Sequence, residues 1–322
     1  METTTGISAM ISVAAYLSGI PPNNRNLEKP LLIKNFIEGV NNSGDQGTVV
    51  DTRTVLPADV ALIQGFVHAN SKNTPHLMLR KKVFETQLEE NKRCIIADSN
   101  LFLYADPGNS KKYLRYSYDG VFPNTGEYCN ASPDPERWEK IKTALGIALK
   151  PWDFNGKYFL ICCQRDGGWS MGGNSIVPWL INTITEMRRY STTPIKIRFH
   201  PGDKKKKDHI ARIKRLRIPD TEISVEPDIR NDFKKAKAVI TYNSSPGVAA
   251  AIEGKPVVVL DPQRSQAASV SHHHLRDLKN LKEFDREFWI QQIAQMHWNL
   301  DELKSGEAWT HMKKWAKLET KT

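Results

Sequence analysis

Residues 238–259 read AVITYNSSPGVAAAIEGKPVVV. A β-branched run ends in a turn of Asn243, Ser244, Ser245, Pro246 and Gly247. A small-residue stretch and a second β-branched run follow, so the segment forms one strand–helix–strand unit. The pattern extends upstream. Strands KYFLICCQ (157–164), PIKIRFH (194–200) and EISVE (222–226) alternate with helices expected near 175–190, 208–216, 228–236 and 247–253. Short Val/Ile-rich strands alternating with helices require a parallel sheet covered on both faces. A second such series precedes it, with strands over 8–16, 48–51, 61–68 and 93–98 and helices over 29–40 and 75–91, stopped by Gly39 and Asn91. The expected fold is therefore α/β, with two doubly wound Rossmann-type domains over 1–150 and 151–284. Residues 285–322, with Trp289, Trp298, Trp309 and Trp315 at helical spacing, form C-terminal helices that pack back.

The 322 residues are 39% hydrophobic and 25% charged, which excludes disordered and fibrous chains. The longest uncharged apolar stretch, 7–20, is shorter than the ~20 residues of a spanning helix and reads as a buried first strand. METTTG carries an acid and no basic leader, so no secretory signal is expected and the protein stays in the cytoplasm where it is made. Cys94, Cys129, Cys162 and Cys163 show no CxxC spacing and read as reduced structural thiols. A net charge of +10, from 46 Lys and Arg against 36 Asp and Glu, favours polyanionic partners, although a solvated basic surface explains the same excess.

Open parallel sheets bind ligands at the carboxyl ends of their strands, which singles out four exits. KYFLICC leaves into Gln164, Arg165, Asp166 and Gly167; IKIRF, which contains Arg198, leaves into His200 and Pro201. AVITY leaves into Asn243, Ser244, Ser245 and Gly247, and PVVVL leaves into Asp261. Turn amides and serine hydroxyls opening a helix suit a phosphate, whereas N-capping is the plain alternative. Arg198 and His200 in the neighbouring exit add a cation and an imidazole.

RFHPGD and ITYNSSPGVAAAIEGKPVVV resemble the HP and serine motifs of GT-B glycosyltransferases of the capsule, Kdo and sialyl type, and LICCQRDGG is similar to the glutamine-containing strand end of the capsule enzymes. The resemblance covers about residues 157–262. It implies a nucleotide-sugar donor, UDP-linked ahead of CMP-linked, held by the second domain through Gln164, Arg165, Asp166, Gly167, Arg198, His200, Pro201, Asn243, Ser244, Ser245 and Gly247. It departs at Ala249, where the family pattern places a Glu; Glu253 stands one turn further on. GIPPNNRN, DSNLFLY and HWNLDELKSGEAW resemble, more loosely, proteins of tailed phages. T-even-like phages glycosylate hydroxymethylated cytosine in DNA. That analogy implies a DNA acceptor and the cytoplasm of a host.

For the proton of an acceptor hydroxyl, Asp98 and His68 leave first-domain strands and are the candidate bases. Arg25, Lys111, Lys112 and Arg115, the last three beside Tyr113, Tyr116 and Tyr118, and the run Lys204, Lys205, Lys206 and Lys207 are candidate DNA contacts. A solvent-facing hairpin and a solvated helix face are the plain alternatives. His272, His273 and His274 cannot readily aim at one ion, so no metal is expected and no membrane partner either. The leading expectation is a nucleotide-sugar-dependent transferase acting on hydroxymethylcytosine DNA. A capsular saccharide transferase, a nucleotide-sugar epimerase and a non-catalytic DNA-binding protein remain the alternatives.

Overall fold

The computed structural model describes residues 9–18, 20, 28–67, 74–106 and 112–317. Two sheets carry the chain. The first is built from β1 (Ser12–Tyr16), β2 (Gln46–Val50), β3 (Val60–Gln64), β4 (Arg93–Asp98) and β5 (Leu114–Tyr118), with α1 (Glu28–Asn42) and α2 (Pro75–Glu89) on its faces. Its parallel part runs β2–β1–β3–β4. The inner strands β1, β3 and β4 are apolar and almost wholly buried, as a doubly covered parallel sheet requires, while the edge strand β2 is partly exposed. Helix α3 (Pro135–Leu145) starts where the Asp134 carboxylate accepts the Glu136 N–H at 2.9 Å, and it stops at Gly146, whose φ of 61° is the left-handed helix end.

The second sheet is wholly parallel, in the order β10–β9–β6–β7–β8: β6 (Tyr158–Cys162), β7 (Ile195–Arg198), β8 (Thr221–Ile223), β9 (Ala236–Thr241) and β10 (Val257–Val259). Helices α4 (Ile176–Met187), α5 (Lys206–Leu216), α6 (Ile229–Phe233) and α7 (Pro246–Ile252) connect these strands. The strand order reverses at β6, between β7 and β9. That point is where such a sheet opens a crevice.

Three expectations are corrected. The first sheet is mixed: β5 joins β4 antiparallel, and β11 (His297–Trp298) from the tail joins β5 antiparallel. Leu114–Tyr118 is thus an interior strand and no solvent-facing hairpin; Tyr113, Tyr116 and Tyr118 are buried. The tail is helical otherwise, as α8 (Glu287–Gln295), α9 (Leu300–Ser305) and α10 (Glu307–Met312). Helix α8 packs in a core with Val248 and Ile252 of the second half, while Trp309 and Met312 of α10 join the core of the first.

Gly39 does not stop α1, which runs on to Asn42. The residue is needed for contact: a Cβ there would lie 1.9 Å from the Leu303 carbonyl oxygen and 2.9 Å from Gly306 Cα. The absent side chain lets α1 and the α9–α10 corner touch backbone to backbone. Gly39→Ala is expected to cost about 2 kcal/mol or more through overpacking, despite alanine's better helix propensity. Denaturant unfolding measures it; a variant as stable as the parent contradicts the contact.

Candidate functional site

A cleft of about 1460 Å³ opens between the two sheets, lined by the exits of β4, β6, β7 and β9 and by the segment that leads into α6. The second-sheet wall rests on a polar platform. Gln164 donates to Asn243 Oδ1 at 2.9 Å and to Ser170 Oγ at 3.0 Å, and its carbonyl accepts the Asn243 N–H at 3.2 Å. Asn243 in turn donates to Ser170 O and to Asp261. Gln164 and Asn243 are both buried, so their amides bind three strand ends together; of the two, Gln164 reaches the cleft surface. Gly247 is buried below it, and Gly167, at φ 62°, makes the turn before Gly168 reaches the cleft.

His200 stands above this platform with a defined proton. Its Nδ1 accepts the Gly202 N–H at 2.9 Å, which leaves the proton of the neutral ring on Nε2. Burial, followed by the Arg165 and Lys206 charges, pushes its pKa below the ordinary value, so the ring is a neutral donor at physiological pH. A Cβ on Gly202 would meet Arg165 Nη2 at 3.0 Å and His200 Cε1 at 3.3 Å, which places the guanidinium beside the imidazole. Arg165 and Lys204 line the cleft without an ion pair among the described residues. Pro201 and the exposed Ser245 line it too. Ser244 completes this side: the residue lines the cleft, and its buried Oγ has no hydrogen-bond partner. Two cations, a neutral N–H and an orphaned hydroxyl make a wall suited to oxyanions.

Arg198 and Asp166 also line the cleft, but both are ion-paired. Arg198 donates to Asp232 at 2.7 Å, to Glu226 O and to Pro227 O, so its guanidinium fastens the β7 exit to the segment before α6. Asp166 accepts the Ile176 N–H at 2.9 Å and the Lys205 ammonium at 3.1 Å. The Ile176 bond, then Lys205 and His209, hold its carboxyl below the usual range against a burial penalty. Lys206 and Lys207 open α5 and do not line the cleft, whereas Lys204 and Lys205 do.

The first-sheet wall corrects the assignment of the base. Asp98 is the last residue of β4, and register pairs it with Arg115 of β5. The Arg115 guanidinium donates to its carboxylate at 2.5 Å, and Asp98 does not line the cleft. Arg115 is correspondingly buried, which removes it from any DNA-facing surface. Lys112 is exposed. His68, Arg25 and Lys111 lie outside the described residues. The wall itself is Ser99, Asn100, Leu101, Leu103 and Tyr104, one step beyond Asp98. This segment is held from the tail: His297 Nε2 accepts the Leu101 N–H at 3.1 Å, its Nδ1 donates to Ile293 O at 2.7 Å, and the ring lies 4.7 Å from that of Phe102. Asp228 and Arg230, also on the cleft, pair at 2.7 Å, and Arg230 donates across to Ala105 O at 3.1 Å. At the β4 exit the sequence singles out Asp98, six residues short of Tyr104, and the strand-exit rule applied to β8 would have pointed to Asp228.

Among the described residues no group of three or more His, Cys, Asp or Glu can hold a metal ion. His272 Nε2 accepts the Lys282 N–H, while His273 Nε2 meets Ala268 O, so the two rings serve different loops. The four cysteines are buried free thiols. Among the described residues no helix is long and apolar enough to cross a membrane.

No protein-family model matches the sequence, and a search of curated proteins finds no match. Solved structures do resemble it. A KpsC β-Kdo 2,4-transferase of Thermosulfurimonas dismutans superposes with a TM-score of 0.55 at 12% identity, covering 92% of this chain and 99% of that one. A KpsC β-Kdo 2,7-transferase of the same organism superposes with a TM-score of 0.50 at 14% identity, covering 93% and 99%. Two Rossmann-type sheets facing each other across a cleft, with C-terminal helices returning over them, constitute the GT-B fold.

Proposed function

We propose that the protein is a glycosyltransferase that takes a nucleotide-linked sugar, UDP-linked ahead of CMP-linked, and transfers it to a hydroxyl. The observation that carries this reading is the second-sheet side of the cleft, which Ser244 with its orphaned hydroxyl, His200 with a proton on Nε2, Arg165 and Lys204 line together. The bond from the sugar's anomeric carbon to the donor phosphate breaks with its electron pair going to the phosphate oxygen, and these donors stabilise the charge that develops there. The acceptor oxygen bonds to the anomeric carbon. Asp98 is not the base, being held by Arg115. The carboxylates that do line the cleft are engaged too: Asp166 with Lys205, Asp203 with His209, and Asp228 with Arg230. With the carboxylates of the described cleft residues engaged, the acceptor's proton is assigned to the departing phosphate; His68, the other candidate base, lies outside the described residues.

The acceptor we propose is hydroxymethylated DNA. In support, Lys204 and Lys205 at the cleft lead onto the exposed side chains of Lys207, Arg212 and Arg215 on α5, a basic track for a phosphate backbone. The test offers UDP- and CMP-sugars with hydroxymethylcytosine DNA in one arm and an oligosaccharide in the other, and follows sugar incorporation. Ser244→Ala is expected to lower kcat/KM about 10–100-fold by removing one donor to the leaving group. Absence of transfer from every donor would overturn the enzyme reading; transfer to the oligosaccharide alone would overturn only the DNA acceptor.

A further inference from the structure

Among the described residues, two that line the cleft, from opposite walls, each carry a buried hydroxyl without a hydrogen-bond partner: Ser244 on the second sheet and Tyr104 on the first. A buried O–H without an acceptor is destabilising, so a fold that keeps one in a cleft points to a ligand that supplies the acceptor. Tyr104 is well supported for such a task. Its ring packs against the core cluster that contains Val248 and Ala249 of α7. The next residue, Ala105, has its carbonyl pinned by Arg230 from α6 at 3.1 Å. Three residues earlier, the Leu101 N–H is held by His297. Burial, reinforced by the nearby Glu253 charge against the opposing Arg230, pushes the phenol's pKa up, so the group is a proton-bearing donor and no base.

Placement indicates which part of the ligand it meets. Tyr104 lies on the first-sheet wall of the cleft, and Ser244 and Ala249 lie on the second-sheet wall. A group joined to a phosphate bound at Ser244 would extend into the space these walls enclose. We propose, resting on the reading above, that Tyr104 is a specificity residue whose hydroxyl donates a hydrogen bond to a sugar oxygen next to the bound phosphate. A ribose and a transferred hexose share this chemistry, and the experiment separates them.

Calorimetric binding to the full chain compares UDP, 2′-deoxy-UDP and UDP-glucose, with CMP and 2′-deoxy-CMP as the parallel pair, for the parent, Tyr104→Phe and Ser244→Ala. Ser244→Ala should weaken every nucleotide about tenfold. Tyr104→Phe should weaken by about 5–30-fold only those ligands that carry the contacted hydroxyl. If that is the ribose, the variant binds UDP no better than its deoxy form; if it is the transferred sugar, UDP is unaffected and UDP-glucose is weakened. Without ligand, Tyr104→Phe should melt at or above the parent temperature, because it deletes an unpaired buried hydroxyl. A tyrosine that merely supports the fold would lower the melting temperature and leave affinities alone. Tyr104→Phe binding every ligand within twofold of the parent, while Ser244→Ala loses affinity, overturns this proposal and spares the transferase reading. A parent that binds none of the nucleotides overturns both.

Discussion

Arg137→Ala is expected to destabilise the protein by about 3–5 kcal/mol, the cost of leaving a buried charge without its partner. The guanidinium, almost wholly buried, donates from Nη1 to Glu302 Oε1 at 2.9 Å and from Nη2 to Oε2 at 3.2 Å. It also donates to the His297 carbonyl, and its carbon lies 3.7 Å from the centre of the Trp298 ring. Glu302 depends on this arrangement. Burial would raise its pKa, but Arg137, then Lys140 and the Asn299 N–H, hold the carboxyl below the usual range. Removing Arg137 leaves Lys140, half exposed, as the remaining cation at 2.8 Å. Arg137→Lys retains a charge but loses the bidentate fork and the stacking on Trp298, so an intermediate loss is expected. Arg137→Met combined with Glu302→Leu should recover much of the single variant's loss, since an apolar pair bears no desolvation penalty. Urea unfolding measures these variants, and adding Arg137→Met and Glu302→Leu singly completes a double-mutant cycle with their combination. A loss below about 1 kcal/mol for Arg137→Ala would show that the pair carries little.

What the sequence makes legible follows from how local each determinant is. The second sheet can be read because each strand is short, β-branched and closed by its own turn, and because parallel strands all present their exits on one edge. His200 and Ser244 thus share a cleft that their separation of 44 positions hides. Leu114–Tyr118 resists the same reading. Its alternation of Arg115 and Ser117 with Leu114, Tyr116 and Tyr118 suits a half-exposed hairpin, and its burial depends on β11, which arrives from residues 297–298. The mistaken base has the same origin. Asp98 is well placed as a strand-end carboxylate until an antiparallel neighbour sets Arg115 opposite it. Gly39 carries a stop signal in sequence, yet the helix continues because a partner 264 positions away, at Leu303, occupies the space a side chain would take.

Acidification should unfold the protein through His297 before most carboxylates titrate. The ring is fully buried; desolvation foremost, then the Arg115 and Arg137 charges, lower its pKa from 6.5 to about 3, against the Ile293 hydrogen bond. In the unfolded chain the same imidazole takes up a proton near pH 6.5. Between these values the unfolded state binds more protons than the folded one, so stability rises with pH across the window and falls as pH drops through it. One such group contributes a slope approaching 1.4 kcal/mol per pH unit, or roughly 4–5 kcal/mol over the whole window. His200, His272 and His311 are shifted in the same direction, with burial the leading cause for each, and add to the slope. Unfolding free energies measured between pH 7 and 4 for the parent and for His297→Gln isolate the one residue. The variant should be less stable at pH 7, having disturbed the bonds to Leu101 and Ile293, and should show a slope smaller by about one proton's worth. An unchanged slope would mean that the ring protonates without cost where it stands. Protonation matters beyond stability: a charged ring can no longer accept the Leu101 N–H at Nε2, so the segment that carries Tyr104 to the cleft loses its anchor together with the core.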